Sequence, residues 1–202
     1  MKTQIYSPEA GFSGYWSTPN RLPHKALWLW DSVFHSIGHR HLHPHIAEQL
    51  ILSIFDTQQE DGMIPHMSSP YWHSEITQPP VIAWGALKVY EKTQNKEFLN
   101  KVFDRNKAFL DWCFLNRRAD DDYLFAWKTD EDANCRCGES GMDNSPRFDD
   151  YVLLKAIDFS CFMASEMRAM SKIAAMLGED TTEFDTRFNE IKKAVNQKLW
   201  DD

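Results

Sequence analysis

Cysteine is scarce in this chain of 202 residues: Cys113, Cys135, Cys137 and Cys161 are the four present. Their spacing is too irregular for a disulfide framework, and no second CxC or CxxC pair completes a zinc site. A reducing compartment with no metal and no cofactor is therefore expected. Long apolar runs are missing too. No stretch approaches the roughly 18 apolar residues of a spanning helix, and the opening MKTQIYSPEAGFSGYW has no basic region followed by an apolar one. The expectation is a cytoplasmic protein with no membrane partner. Basic charge is also short, with 22 Lys and Arg against 30 Asp and Glu, a formal charge of −8 with the cations scattered. A nucleic-acid backbone is bound through a basic stripe that releases counterions, so nucleic acid is excluded as a partner. An uncharged or cationic small ligand fits better.

Aromatic residues, by contrast, are plentiful: 8 Trp, 13 Phe and 6 Tyr, with several of the Trp beside polar residues. Such pairing suits a sugar site, and it also suits a large core. A content of 43% hydrophobic and 26% charged residues is that of a soluble globular chain.

Apolar residues recur at three and four positions almost throughout, which predicts an all-α protein. Six helices are expected. The first runs from about Pro23 to Gly38 on Leu27, Trp30, Phe34 and Ile37, with Pro23 suited to an early helical position. The second follows Pro44, the third follows Pro79-Pro80, and the fourth covers about Lys96 to Asn116. The fifth is expected to open on Ser145 as N-cap, with Pro146 first and Asp149 and Asp150 in its first turn, and to run to Gly178. The sixth carries Phe184, Phe188, Ile191, Val195 and Leu199. Residues 1–22 form an N-terminal segment and 23–202 the helical domain.

The helices pair through connections that are alternately short and long. Connections beyond about 12 to 15 residues without structure of their own are usually functional or disordered, and the aromatic content of Glu60–Pro80 and Arg117–Ser145 argues against disorder. Helical hairpins whose long loops emerge on one side predict an α/α toroid, with a site where those loops converge.

Four stretches place carboxylates or amides beside aromatic or backbone-shaping residues: WLWDSVFH (Trp28–His35), TQQEDGMIPH (Thr57–His66), TQPP (Thr77–Pro80) and ESGMDNSPR (Glu139–Arg147). A sugar needs this mixture, an apolar platform for the ring and polar side chains for its hydroxyls. Hydrolysis of a glycosidic bond further needs one protonated carboxyl to help the leaving oxygen depart and one ionised carboxylate to activate water or attack carbon.

In this order and at these intervals, the four stretches resemble the barrel signatures of glycoside hydrolase family 63 and its relatives, from about Leu22 to the C-terminus. That group includes processing α-glucosidases, mannosylglycerate or glucosylglycerate hydrolases and, more distantly, trehalases. The resemblance implies an (α/α)6 barrel carrying out inverting hydrolysis of an α-linked glucoside or mannoside. The general acid of its SGxDNSP motif falls on Asp143. Trp30, Asp31, Gln59, Glu60, Asp61, His66 and Gln78 match positions that line the sugar pocket or hold its loops, and Glu139, Asn144 and Arg147 surround the acid. The family's general base is a glutamate on a later hairpin and has no counterpart here. Glu166, Glu179, Glu183 and Glu190 lie in helical patterns. About three of six hairpins are expected, with the remaining half of the barrel or a second copy as partner, and Asp143 is expected to stand in water.

Two other readings remain open. The same Trp and Asp pocket without a base could serve a noncatalytic carbohydrate-binding or scaffold protein. The cluster His35, His39, His41, His43 and His45 has its first two members four apart on a helix and suits a metal-binding helical protein, although no third ligand is specified and HEXXH is absent.

Overall fold

The computed structural model describes residues 4–19, 25–120, 122–131, 134–150 and 154–201. Six α-helices lie among them: α1 (Leu29–His39), α2 (Pro44–Phe55), α3 (Ile82–Thr93), α4 (Lys96–Asn116), α5 (Ile157–Leu177) and α6 (Thr182–Lys198). Their boundaries follow local chemistry. Pro44 takes the first position of α2, where its missing N–H costs nothing. The Asn95 side chain caps α4 by accepting the Phe98 N–H at 3.2 Å. Gly178 ends α5 in the left-handed conformation.

Each hairpin packs its own two helices together, α1 on α2, α3 on α4 and α5 on α6. In addition α1 packs on α3 and α3 on α5, so the odd-numbered helices form one layer and the even-numbered helices the layer behind it. Gly85 sets how closely the front layer can pack: a Cβ there would meet Val33 Cγ1 at 2.2 Å, so α1 and α3 approach only because α3 has no side chain at this point. Behind the contact, Glu166 of α5 is fully buried and accepts the Ala83 N–H at 2.8 Å, the Trp84 N–H at 2.9 Å and Asn106 Nδ2 at 3.1 Å. Val81, the N-cap of α3, makes no side-chain cap, and a carboxylate from another helix takes that place. Burial pushes the Glu166 carboxyl up despite these donors.

Five short strands accompany the helices. β1 (Ile5–Tyr6) pairs antiparallel with β2 (Trp16–Ser17). β3 (Leu27–Trp28), β4 (Met67–Ser69) and β5 (Trp72–His73) form a second antiparallel sheet, with Leu27 opposite Ser68 and Ser68 opposite His73.

Two expected boundaries are corrected. The first helix starts at Leu29, because Leu27 and Trp28 pair with β4 and cannot also join a helical ladder; Pro23 lies outside the described residues. The fifth helix starts at Ile157, twelve residues after Ser145. Ser145 makes no side-chain cap and precedes only a short 3-10 turn at Pro146–Phe148. The chain then bridges Lys155 to Ala126, and the Ala156 N–H donates to the Phe125 carbonyl at 2.7 Å, which holds the segment extended until α5 begins. Among the described residues no helix is long and apolar enough to cross a membrane.

Candidate functional site

Antiparallel hairpins joined by short turns place the start of α1, the 56–81 connection and the 117–156 connection at one end of the layers. Hydrogen bonds tie these three segments together. The Leu29 N–H donates to the His66 carbonyl at 3.1 Å, and the Trp30 N–H to Gln78 Oε1 at 3.2 Å. Gln78, itself buried, thus caps the first turn of α1 from the TQPP stretch. The Thr77 N–H in turn donates to Glu139 Oε1 at 3.1 Å.

Glu139 is 0% exposed, and its two oxygens accept from four donors. Besides Thr77, these are Arg117 Nη2 at 2.6 Å on Oε1, Arg117 Nε at 2.9 Å on Oε2 and the Lys128 N–H at 2.9 Å on Oε2. The fork of Arg117 lies over the Trp112 ring at 4.7 Å. Glu139 was expected at the sugar; the geometry turns it inward, where it joins the two long connections.

The loop above Glu139 carries Asp143. Its backbone is clamped, with the Cys137 N–H donating to the Asp143 carbonyl at 3.2 Å and the Ser145 N–H to the Met142 carbonyl at 2.9 Å. The side chains of Asp143 and Asn144 are exposed to solvent. Gly141 has a φ of +68° and lies against the Trp30 indole, where a Cβ would come within 2.5 Å of Cη2. From Trp30 an aromatic row continues across the front layer: Phe34 at 5.7 Å between ring centroids, then Trp84 of α3 at 6.4 Å from Phe34. Phe34 and Trp84 are 45% and 37% exposed, so the row is a wet apolar face beside the Asp143 loop.

Asp31 follows Trp30 on α1. It reads in the sequence as a mid-helix aspartate, but with the helix starting at Leu29 it falls in the first turn, where a carboxylate complements free N–H groups. Burial raises its pKa, against hydrogen bonds from its own N–H and from the Trp30 side chain that act to lower it. Burial thus works toward a protonated carboxyl here, beside the aromatic row.

The other expected residues occupy different places. Gln59, Glu60 and Asp61 form a turn against α4, where Asp61 accepts the Met63 N–H and Trp112 Nε1, both at 3.0 Å. Gln59 Nε2 donates to the Thr57 carbonyl at 2.8 Å. His66 is buried edge-on to Trp28 with ring centroids 5.0 Å apart, and its Nδ1 lies 2.6 Å from Ser74 Oγ. Arg147 pairs with Asp158 through Nη2 at 2.6 Å and stacks its guanidinium over Phe148. Of the residues expected at the site, Trp30, Asp31, Gln78, Glu139 and the Asp143 loop are brought together; the QQED turn and Arg147 serve neighbouring connections. Sequence reasoning did not single out Arg117, Trp84 or Phe34. Phe34 lies four positions after Trp30, so its place on the same helix face was readable; Arg117 is 22 positions from Glu139, with no local signal.

In the histidine cluster, burial lowers the pKa of His35 and His39, and neighbouring histidines add to the effect. Among the described residues no group of three or more His, Cys, Asp or Glu is placed to hold a metal ion.

Paired helices in two layers, with long connections gathered at one end around an aromatic row and carboxylates, are the architecture of part of an (α/α)6 glycoside hydrolase. The chain superposes over 96% of its length on 63% of a family 63 mannosylglycerate hydrolase of Thermus thermophilus in complex with Tris, with a TM-score of 0.80 at 22% identity. Residues 23–202 match the model of the mannosylglycerate hydrolase MGH1-like glycoside hydrolase domain, and the chain belongs to that family. Mannosylglycerate hydrolase of Rubrobacter radiotolerans is 20% identical over 269 residues, covering 91% of this chain and 59% of the relative. The mannosylglycerate hydrolase of a second Thermus thermophilus strain is 33% identical over 147 residues, covering 60% of this chain and 34% of the relative. The chain thus spans between a third and three-fifths of the length of these curated relatives.

Proposed function

We propose that this chain supplies the acid-bearing half of an inverting glycoside hydrolase acting on an α-linked glucoside or mannoside, with Asp143 as the general acid. The observation that supports the reading is the packing of Gly141 on Trp30: the exposed Asp143 is carried two residues along the same loop from an aromatic platform, the combination that transfer of a proton to a glycosidic oxygen above a bound sugar ring would use. Gln78 and Glu139 act as positioning residues, Gln78 through the first turn of α1 and Glu139 through the loop. Asn144 and Asp31 are the polar groups nearest in sequence to the acid and the platform, and they are proposed to meet sugar hydroxyls.

Inversion needs a second carboxylate across the sugar ring, about 6.5–9.5 Å from the acid, to activate water. We assign that base to residues beyond this chain, since Glu166 is consumed in capping α3 and Glu139 in joining the loops. On this reading the chain alone binds sugar without turning it over, and the rest of the barrel completes the reaction.

The test is turnover of α-mannosides and α-glucosides, including mannosylglycerate and glucosylglycerate, by the chain alone and after addition of the C-terminal half of a relative's barrel. The expected result is activity only in the combined sample, abolished by Asp143→Asn with the fold intact by circular dichroism. Undiminished turnover in the Asp143→Asn sample would remove Asp143 from the role. Binding of the same sugars without turnover in the combined sample would favour a noncatalytic carbohydrate-binding protein.

A further inference from the structure

Beside the β4–β5 hairpin lies an open cleft of about 330 Å3. Three segments of this chain form it: the turn at Gly11 and Phe12, the residues that follow α2 from Asp56 to Gln59, and the β4–β5 hairpin. The walls are braced. Ser13 donates to Asp56 through its N–H at 2.7 Å and its hydroxyl at 2.9 Å, and Gly11 is so close to the hairpin tip that a Cβ would lie 3.2 Å from Pro70 Cα. Asp143, Trp30 and Gln78 do not line it. Gly11 and Phe12 also fall outside the residues matched by the family model, which begin at 23.

The lining has a specific chemistry. Trp72 and Tyr71 at the hairpin turn are 48% and 90% exposed, large aromatic faces left in water on a strand pair that could have carried polar residues. Across from them are Thr57, Gln58 and Gln59, whose hydroxyl and amide N–H groups donate within the fold and whose side-chain oxygens face the ligand as acceptors, while Ser69 stands beside Trp72 as its cross-strand partner. Ser68, also lining the cleft, is 2% exposed, and its hydroxyl has no hydrogen-bond partner among the described residues. The Ser68 side chain lies on the opposite face of the strand from Ser69 and Trp72, so it adds nothing to the polar wall that faces the aromatic rings. No Lys or Arg is among the described lining residues, and Asp56 is the one carboxylate. His73 is the one imidazole among these residues, and an anionic ligand would find no lysine or arginine counter-ion among them.

We propose that this cleft is a second carbohydrate subsite that takes a neutral pyranose ring, stacked on Trp72 and hydrogen-bonded through the amide and hydroxyl wall. An aromatic platform facing neutral polar groups matches the two faces of a sugar ring, and the volume is at the low end of small-ligand sites, at about 300–1,000 Å3. The subsite is built wholly from this chain, so it is complete whether or not Asp143 has a partner base. It would hold a second sugar unit of a substrate, or anchor the protein on a glycan.

The experiment is a titration of the intact chain, followed through the assigned indole N–H signals in 15N NMR, with methyl α-mannopyranoside and methyl α-glucopyranoside. Glycerate serves as the anionic probe. The expected result is a saturable shift of the Trp72 indole with the neutral sugars and none with glycerate. In Trp72→Ala and Trp72→Phe, which lack that indole, the backbone N–H signals of the β4–β5 hairpin are the readout: Trp72→Ala should weaken neutral-sugar binding there by about tenfold or more, Trp72→Phe should retain it, and Asp143→Asn should leave the Trp72 indole response unchanged. A Trp72 signal that ignores the neutral sugars, or follows glycerate equally, would overturn the proposal, as would full affinity in a folded Trp72→Ala chain. Because the readout sits at Trp72 and survives Asp143→Asn, failure here is separable from failure of the proposed acid.

Discussion

Gly141 and Trp30 are in direct contact: the indole covers the glycine so closely that a Cβ would come within 2.5 Å of Cη2 and 2.6 Å of Cζ2. Gly141 also adopts a φ of +68°, which a side chain disfavours. Two independent constraints therefore demand glycine two residues before Asp143. Gly141→Ala is expected to destabilise the chain by about 1–3 kcal/mol, the range of overpacking and backbone strain, and to move the Asp143 loop off the indole. Urea denaturation reads the first effect and Trp30 fluorescence the second. An unchanged Trp30 environment in the variant would show that the loop does not rest on the indole.

The buried pair Arg117–Glu139 braces the 117–156 connection, and Glu139 also receives the Lys128 N–H and, from the 56–81 connection, the Thr77 N–H that ties the two connections together. Removing one partner of a buried ion pair leaves an uncompensated charge, at a cost of about 3–5 kcal/mol. Glu139→Ala should reach that range, because it strands a guanidinium and two N–H groups together. Arg117→Met should also destabilise, and the double variant should lose much less than the sum. Additive losses in the double-mutant cycle would mean that the two side chains act apart.

The hairpin pairing was legible in the sequence, because periodicity sets helices and short turns set their partners. The start of α5 was not. Ser145, Pro146 and two aspartates carry every local signal for a helix N-terminus, yet the Ala156 N–H is committed to the Phe125 carbonyl, a partner 31 residues away that no local pattern announces. The same limit explains Glu139. Four carboxylates in one short stretch look alike in sequence, and only tertiary contact separates Glu139, fully buried under Arg117, from Asp143, exposed above it. Trp30 stands out in the sequence by motif, while Trp84 joins its aromatic row only through the close packing of Gly85 on Val33.

His66 makes the fold sensitive to mild acid. Burial edge-on to Trp28 holds its pKa down to about 4, against 6.5 for an ordinary histidine. Between those two values the unfolded chain binds a proton that the folded chain refuses, so stability is fully present above pH 6.5 and is lost as the pH falls toward 4, by up to about 1.4 kcal/mol per unit. His35 and His39, also lowered by burial, act in the same direction. Asp31 and Glu166 act in the opposite one, since a raised carboxyl loses its stabilising contribution as the pH rises past the ordinary carboxylate range. A single stability curve therefore mixes the two signs, and the comparison that isolates His66 is with His66→Gln, which offers Ser74 a hydrogen-bonding group and does not titrate. Urea midpoints of both chains, measured from about pH 7.5 down to about pH 4.5, should diverge most at the upper end, with the wild-type advantage shrinking steadily below about pH 6.5. Parallel curves over that window would show that His66 takes its proton as readily in the folded chain as in the unfolded one.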